Sequence, residues 1–225
     1  MDHIQYSKNV LDAGTLNNLQ QLCLEHYLEI PIYNFSRKTE KPKNYIEEVI
    51  RDLIGYENHV EYWVRDETYA TLMHVDGNEL QAKRDVFKYG EEDPHMIKEF
   101  PLNTHILYVN IDSKMEGGNL LLMPEQEYIP GRKILDTTFR VPEGARILVI
   151  KPETNHMVLF DKPLYHAVED VVNKDEVKHR TALMFSSWDK IPSVYKEHEH
   201  WSNNMITDPG GPNYEPQPMD FRLTI

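Results

Sequence analysis

Eight short runs rich in β-branched and aromatic residues fill most of the chain between residues 59 and 188: His59–Arg65, Tyr69–Val75, Thr104–Asp112, Asn119–Met123, Arg146–Lys151, His156–Asp161, Tyr165–Val172 and Arg180–Trp188. Glu116-Gly117-Gly118, Pro142-Glu143-Gly144 and Lys151-Pro152-Glu153 punctuate them. Runs this short, broken by glycine and proline, predict strands rather than helices. That many strands must close on themselves or leave long edges exposed, so the pattern predicts a mainly β jelly-roll barrel, a double-stranded β-helix.

Two amphipathic stretches precede the strands. Leu16, Leu19, Leu22, Cys23, His26 and Tyr27 recur at helical steps behind Thr15, and Ile46, Val49, Ile50, Leu53 and Ile54 do so before Gly55, a C-cap residue. Each has one apolar face to bury, which predicts helices on the barrel and an α+β class. The expected organisation is residues 1–57 as helices, 58–190 as barrel and 191–225 as a polar, proline-rich tail or lid containing Asp208-Pro209-Gly210-Gly211-Pro212. Residues 77–103 and 124–145 read as long loops, the usual place for substrate-selecting elements.

Composition excludes several classes. Cys23 is the only cysteine, so neither an intrachain disulfide nor a multi-thiolate metal site can form. A formal charge of −13 repels phosphate backbones and argues against nucleic acid; the one basic stretch, Ser36 to Lys43, reads as a solvated loop. No apolar run reaches the roughly 20 residues needed to cross a bilayer, and the N-terminus lacks signal-peptide features, so a cytoplasmic protein is expected.

The chemistry-bearing residues are His74-Val75-Asp76, His166 and Arg180. Residues two apart in a strand share a face, so His74 and Asp76 can aim at one ion, and imidazole and carboxylate suit iron(II) as well as zinc, manganese or nickel. An isolated His-x-Asp is commonly a surface pair. Arg180 adds weight: a buried arginine needs an anion, and its planar fork matches a carboxylate. A dicarboxylate that chelates the metal at one end and meets Arg180 at the other would account for both. His198-Glu199-His200 reads as solvated surface, and His156 and His179 as structural histidines. Trp63, Arg65 and Trp188 fit either a pocket lining or core packing.

The motifs His74-Val75-Asp76, Leu107-Tyr108-Val109-Asn110, Glu116-Gly117-Gly118-Asn119-Leu120, His166-Ala167-Val168 and Arg180, in this order, resemble those of the iron(II)/2-oxoglutarate-dependent oxygenases, in particular the prolyl-4-hydroxylase-like branch. The resemblance implies that His74, Asp76 and His166 ligate iron(II), that Arg180 and the Tyr108 hydroxyl bind the distal carboxylate of 2-oxoglutarate, and that Tyr62 is a second co-substrate contact. It implies a reaction with dioxygen that yields succinate and carbon dioxide while an unactivated C–H bond of an amino-acid, peptide or protein side chain, or of a small molecule, is hydroxylated. Proline is one candidate. A carboxylate at position 76 favours hydroxylation over halogenation and leaves desaturation, epoxidation and ring closure open.

The pattern departs from the family in two places. Arg180 follows His166 by fourteen residues, more than is usual, which makes Lys174 or Lys178 alternative anchors unless Asn173–Val177 is a longer turn. Ala182 stands where some branches have a serine. Two other classes stay open: a cupin-type metal enzyme that uses no oxo acid, and a non-catalytic jelly-roll binding module. Iron-dependent succinate release separates the module from the oxygenase. Oligomeric state is not legible.

Overall fold

A computed structural model of the chain describes residues 3–26, 34–66, 68–77, 99–127 and 144–192. Its elements in chain order are β1 (Ile4–Lys8), α1 (Ala13–His26), β2 (Asn34–Ser36), α2 (Tyr45–Ile54), β3 (His59–Asp66), β4 (Thr71–His74), β5 (Asn103–Ile111), β6 (Leu120–Glu127), β7 (Leu148–Ile150), β8 (His156–Phe160), β9 (Leu164–Val168), a 3-10 turn (Lys174–Glu176) and β10 (Arg180–Trp188). All eight expected strands are present, though β9 stops four residues short of Val172 and β6 runs on to Glu127. The sequence reading missed β1 and β2. β1 is an edge strand without a clean apolar alternation, and β2 is three residues long.

Both helices begin with a side-chain cap. Asp12, not Thr15, caps α1: its Oδ1 accepts from the backbone N–H groups of Gly14 and Thr15 at 2.9 and 3.0 Å. Asn44 caps α2, accepting from Glu47 N at 3.0 Å, and Gly55 closes the other end by donating to Arg51 O at 2.8 Å. The basic stretch from Ser36 is a loop with internal compensation, since Arg37 and Lys43 each lie 3.8 Å from Glu40.

The strands form a six-stranded sheet, in the order β1-β8-β5-β10-β3-β2, and a four-stranded sheet, β4-β9-β6-β7. Every named pairing is antiparallel. This is the expected jelly roll, with the two short edge strands from the N-terminal segment widening the larger sheet.

Alternation within the strands divides the core in two. Leu107 and Val109 of β5, Leu183 and Phe185 of β10, and Val60, Tyr62 and Val64 of β3 turn to the helices and pack on Leu19, Cys23, Ile46, Val49 and Ile50. Ile106 and Tyr108 of β5 and Ala182 of β10 turn the other way, against Leu120, Leu122, Val158, Phe160 and Leu164 between the sheets. One sheet thus has a helix-facing side and a barrel-facing side, and the period of two assigns each residue to one of them.

No helix among the described residues is long and apolar enough to cross a membrane. The central parts of the two expected long loops, the segment from residue 193 with His198-Glu199-His200, and Tyr27 lie outside the described residues.

Candidate metal centre

β4 and β9 pair so that His74 stands directly opposite His166. A register irregularity between Thr71 and His74 re-aims the end of β4, a use to which bulges near functional sites are often put. Asp76 lies just beyond the strand and returns between the two rings. Its Oδ1 is 3.7 Å from His74 Nε2 and its Oδ2 is 3.6 Å from His166 Nε2. The ring centroids are 4.2 Å apart, and one ligand atom from each residue falls within 4.8 Å of the others, the only such group with metal-ligand chemistry among the described residues.

Val75, between the two ligands, is buried with Met123 and Tyr165 on the far side of the small sheet. That burial pins the turn carrying Asp76.

The chemical state of His166 suits ligation. Its Nδ1 lies 3.0 Å from Leu164 O and must carry the proton to donate there, which leaves the Nε2 lone pair facing Asp76. Burial, then the neighbouring His74, push the imidazole down to about 4, against the opposing pull of Asp76, so the ring is neutral at pH 7.

Tyr108 faces the space between the sheets, near enough to Arg180 to feel its charge. Arg180 opens β10, and its Nε and Nη2 donate to Gly118 O at 3.1 and 3.0 Å. This explains the double glycine. Gly118 has φ +66°, and a Cβ there would meet Arg180 Nε at 3.2 Å; at Gly117, φ +74°, it would meet Asp170 O at 2.5 Å. Asp66 fixes the start of β10 by accepting from Arg180 N and Thr181 Oγ1 at 2.9 and 3.0 Å.

The Tyr108 hydroxyl is fully buried and has no hydrogen-bond partner among the described residues. Burial raises its pKa far above the usual range, while the charge of Arg180 pulls the other way. An unsatisfied buried hydroxyl costs about 1–3 kcal/mol. An acceptor supplied from outside the chain would relieve that cost, and a carboxylate between Tyr108 and Arg180 fits the donors present.

The fourteen-residue separation of His166 and Arg180 is taken up by a Gly117–Val171 bridge and the 3-10 turn at Lys174–Glu176. Lys178 is exposed, and Lys174 lies on the surface, 3.0 Å from Asp170 and over the Tyr69 ring. Neither lysine is placed as the buried anchor.

Tyr62 corrects the sequence reading. It points to the helix side of the large sheet, where its hydroxyl donates to Glu47 Oε1 and accepts from Asn44 Nδ2, both at 3.0 Å, so it does not reach the centre. The strand period puts it out of phase with Trp63 and Arg65, which pair with Met184 and Ala182 and so share the barrel-facing side. Trp188 is buried opposite His59 at the far end of β10. His156 is engaged by Tyr6 and Glu153, and His179 by Asp66.

Sequence reasoning also missed Thr104, whose hydroxyl donates to Asp76 Oδ2 at 3.4 Å, and Ser186, 3.5 Å from Thr104. A threonine in a strand carries no signal of such a role. Asp66, the last residue of a strand, carries little more.

No protein-family model matches the chain, and no curated protein sequence matches it. Solved structures do. The non-heme alpha ketoglutarate dependent epimerase SnoN from nogalamycin biosynthesis superposes with a TM-score of 0.52 at 11% identity, over 82% of this chain and 78% of that one. The chain shares its fold. A Pseudomonas putida prolyl-4-hydroxylase gives a TM-score of 0.48 at 11% identity over 84% of this chain and 94% of that one. HygX from Streptomyces hygroscopicus, crystallised with nickel and 2-oxoglutarate, gives 0.48 at 11% identity over 84% and 83%.

Proposed function

We propose that the chain is an iron(II)- and 2-oxoglutarate-dependent oxygenase that hydroxylates an unactivated C–H bond of an amino-acid, peptide or small-molecule substrate and releases succinate and carbon dioxide. The observation that supports this reading is the His-Asp-His group, in a chain that also buries Arg180 close to a Tyr108 hydroxyl without an acceptor among the described residues. The ordered motifs, which resemble those of the prolyl-hydroxylase-like branch, agree with it. SnoN, whose fold the chain shares, is alpha ketoglutarate dependent, so this barrel is known to accommodate that co-substrate.

His74, Asp76 and His166 would hold the metal through two neutral nitrogens and one carboxylate, which leaves coordination positions open. Arg180 and Tyr108 would take the distal carboxylate, the first by charge and the second by giving its hydrogen bond. With iron(II), the oxo acid and dioxygen bound, the centre would supply the oxidising equivalent through decarboxylation of the oxo acid. Ile106, Leu122, Val158, Phe160 and Leu164 line the same space and exclude water, which strengthens each charged contact.

The test is an anaerobic titration of the protein with iron(II) and then 2-oxoglutarate, watched for the weak visible charge-transfer band of a chelated oxo acid. The expected result is a band in the unmodified chain that His166→Ala or His74→Ala abolishes. Metal binding without a band would favour an enzyme that uses no oxo acid, and no metal binding would favour a binding module.

A further inference from the structure

Asp76 is the one ligand of the three that lies outside any strand, so no ladder fixes its backbone. His74 and His166 are held by the β4–β9 ladder, and His166 additionally by Leu164 O. A carboxylate on a turn can rotate, and it can offer a metal one oxygen or two. Its orientation therefore has to come from a neighbour.

That neighbour is on the opposite sheet. Thr104 and Ser186 are direct cross-strand partners in β5 and β10, both on the barrel-facing side and both buried, at 4% and 1% exposure. Thr104 Oγ1 lies 3.4 Å from Asp76 Oδ2, and Ser186 Oγ lies 3.5 Å from Thr104 Oγ1. A hydroxyl has one proton to give. If Thr104 gives its proton to the carboxylate, Ser186 must donate to Thr104, and the direction of the relay is set from the large sheet toward Asp76.

We propose that Thr104, backed by Ser186, is a positioning residue that holds Asp76 Oδ2 and so fixes the rotation of the carboxylate between the His74 and His166 rings. A carboxylate held in this way would keep one orientation toward a metal bound by His74 and His166. The relay also joins the two sheets at the centre, because the ligands come from the small sheet and the hydroxyls from the large one.

This inference rests on the metal-binding reading above, and the experiment separates the two. Cobalt(II) serves as the probe, under anaerobic conditions and without oxo acid; affinity is read by competition with a chelating dye and ligand geometry by the visible d–d spectrum. Thr104→Val keeps the branched shape and removes the hydroxyl. It is expected to weaken cobalt(II) binding about 10- to 100-fold, the usual effect of losing a partner that orients a ligand, and to change the d–d spectrum. Thr104→Ser should restore both, and Ser186→Ala should show a smaller loss of the same kind.

Unchanged affinity and spectrum in Thr104→Val would overturn the inference while leaving the metal site intact. A loss that Thr104→Ser does not rescue would also overturn it, because packing and not the hydroxyl would then be responsible. Absence of cobalt(II) binding in the unmodified chain would remove the metal reading and this inference with it. Should Thr104→Val fail to fold by circular dichroism, Ser186→Ala carries the test: wild-type affinity in that variant would sink the relay.

Discussion

Two tyrosines on opposite sides of one sheet are buried to the same degree and treated in opposite ways. Tyr62 and Tyr108 are 1% and 0% exposed, on strands that flank β10. On the helix side Tyr62 is closed into Glu47 and Asn44. On the barrel side the Tyr108 hydroxyl has no partner among the described residues. Two buried arginines accompany them. Arg51 reaches oxygens of Ser36, Arg37, Gly55 and Asn58 and ties the end of α2 to β2 and to the approach to β3. Arg180, on the other side, turns Nε and Nη2 to Gly118 O, and its charge acts on the Tyr108 hydroxyl. A buried polar group whose bonding is completed within the chain serves the fold, whereas the Tyr108 hydroxyl, set within reach of the Arg180 charge, is one that an incoming carboxylate would complete.

The arginines give the widest separation between the two sides. Arg51→Met strips donors from several buried acceptors and should cost about 3–4 kcal/mol in chemical denaturation, with iron(II) affinity of the folded protein retained. Arg180→Met should instead weaken 2-oxoglutarate binding on the order of 100-fold, as the loss of a buried partner of a charged group does, again with iron(II) affinity retained. Exchange of these two outcomes would break the distinction.

Acid titration reaches both sides, since burial holds His166 as well as His105 down to about 4, and substitution of His105 isolates the helix side. His105 stacks on Phe185 with centroids 4.5 Å apart, its Nδ1 lies 3.3 Å from Phe185 O, and burial pushes its pKa down to about 4. The unfolded chain binds a proton near pH 6.5 that the folded chain refuses until about pH 4. The contribution of this group is therefore complete above pH 6.5 and is lost as the pH falls to about 4, a loss on the order of 3 kcal/mol. His105→Leu should flatten the stability curve across that window, and an unchanged slope would assign the acid sensitivity to other groups.

The smallest expected effect sharpens the comparison most. Tyr62→Phe leaves the buried Glu47 carboxylate short of a donor and should destabilise the fold by about 1–3 kcal/mol without touching co-substrate affinity. Tyr108→Phe removes a hydroxyl with no partner, so stability should hold or rise slightly while 2-oxoglutarate binding weakens about tenfold, equivalent to about 1.4 kcal/mol. Equal stability losses in the two variants would mean that Tyr108 is satisfied in solution.

What the sequence disclosed follows from how locally each feature is encoded. The long strands β3, β5 and β10 and the helix α2 were legible because their apolar spacing is set by their own residues. The His-Asp-His group was legible only because His74-Val75-Asp76, His166 and Arg180 were read together, an isolated His-x-Asp being commonly a surface pair. β1 and β2 were not, since an edge strand need bury little and takes its pairing from distant residues. Tyr62 was misassigned because a tyrosine at the right distance from a motif says nothing about its side of the sheet; counting in twos from Trp63 would have placed it with the helices. Thr104 and Ser186 are ordinary strand residues, joined to Asp76 only once two sheets are stacked.

β1 carries a consequence for how the molecule comes into being. Ile4 is matched to Phe160 and Lys8 to His156, so β1 has no partner until β8, roughly 150 residues further along the chain, has been made. Until then the segment from Ile4 has to stay out of other pairings, and its few apolar residues suit that wait. When it docks, it covers the free side of β8, which would otherwise be an open template for another chain. The last pairing to form at this edge is thus also its guard against aggregation, and shortening the chain at its beginning should be felt first in yield and solubility rather than in the chemistry of the centre.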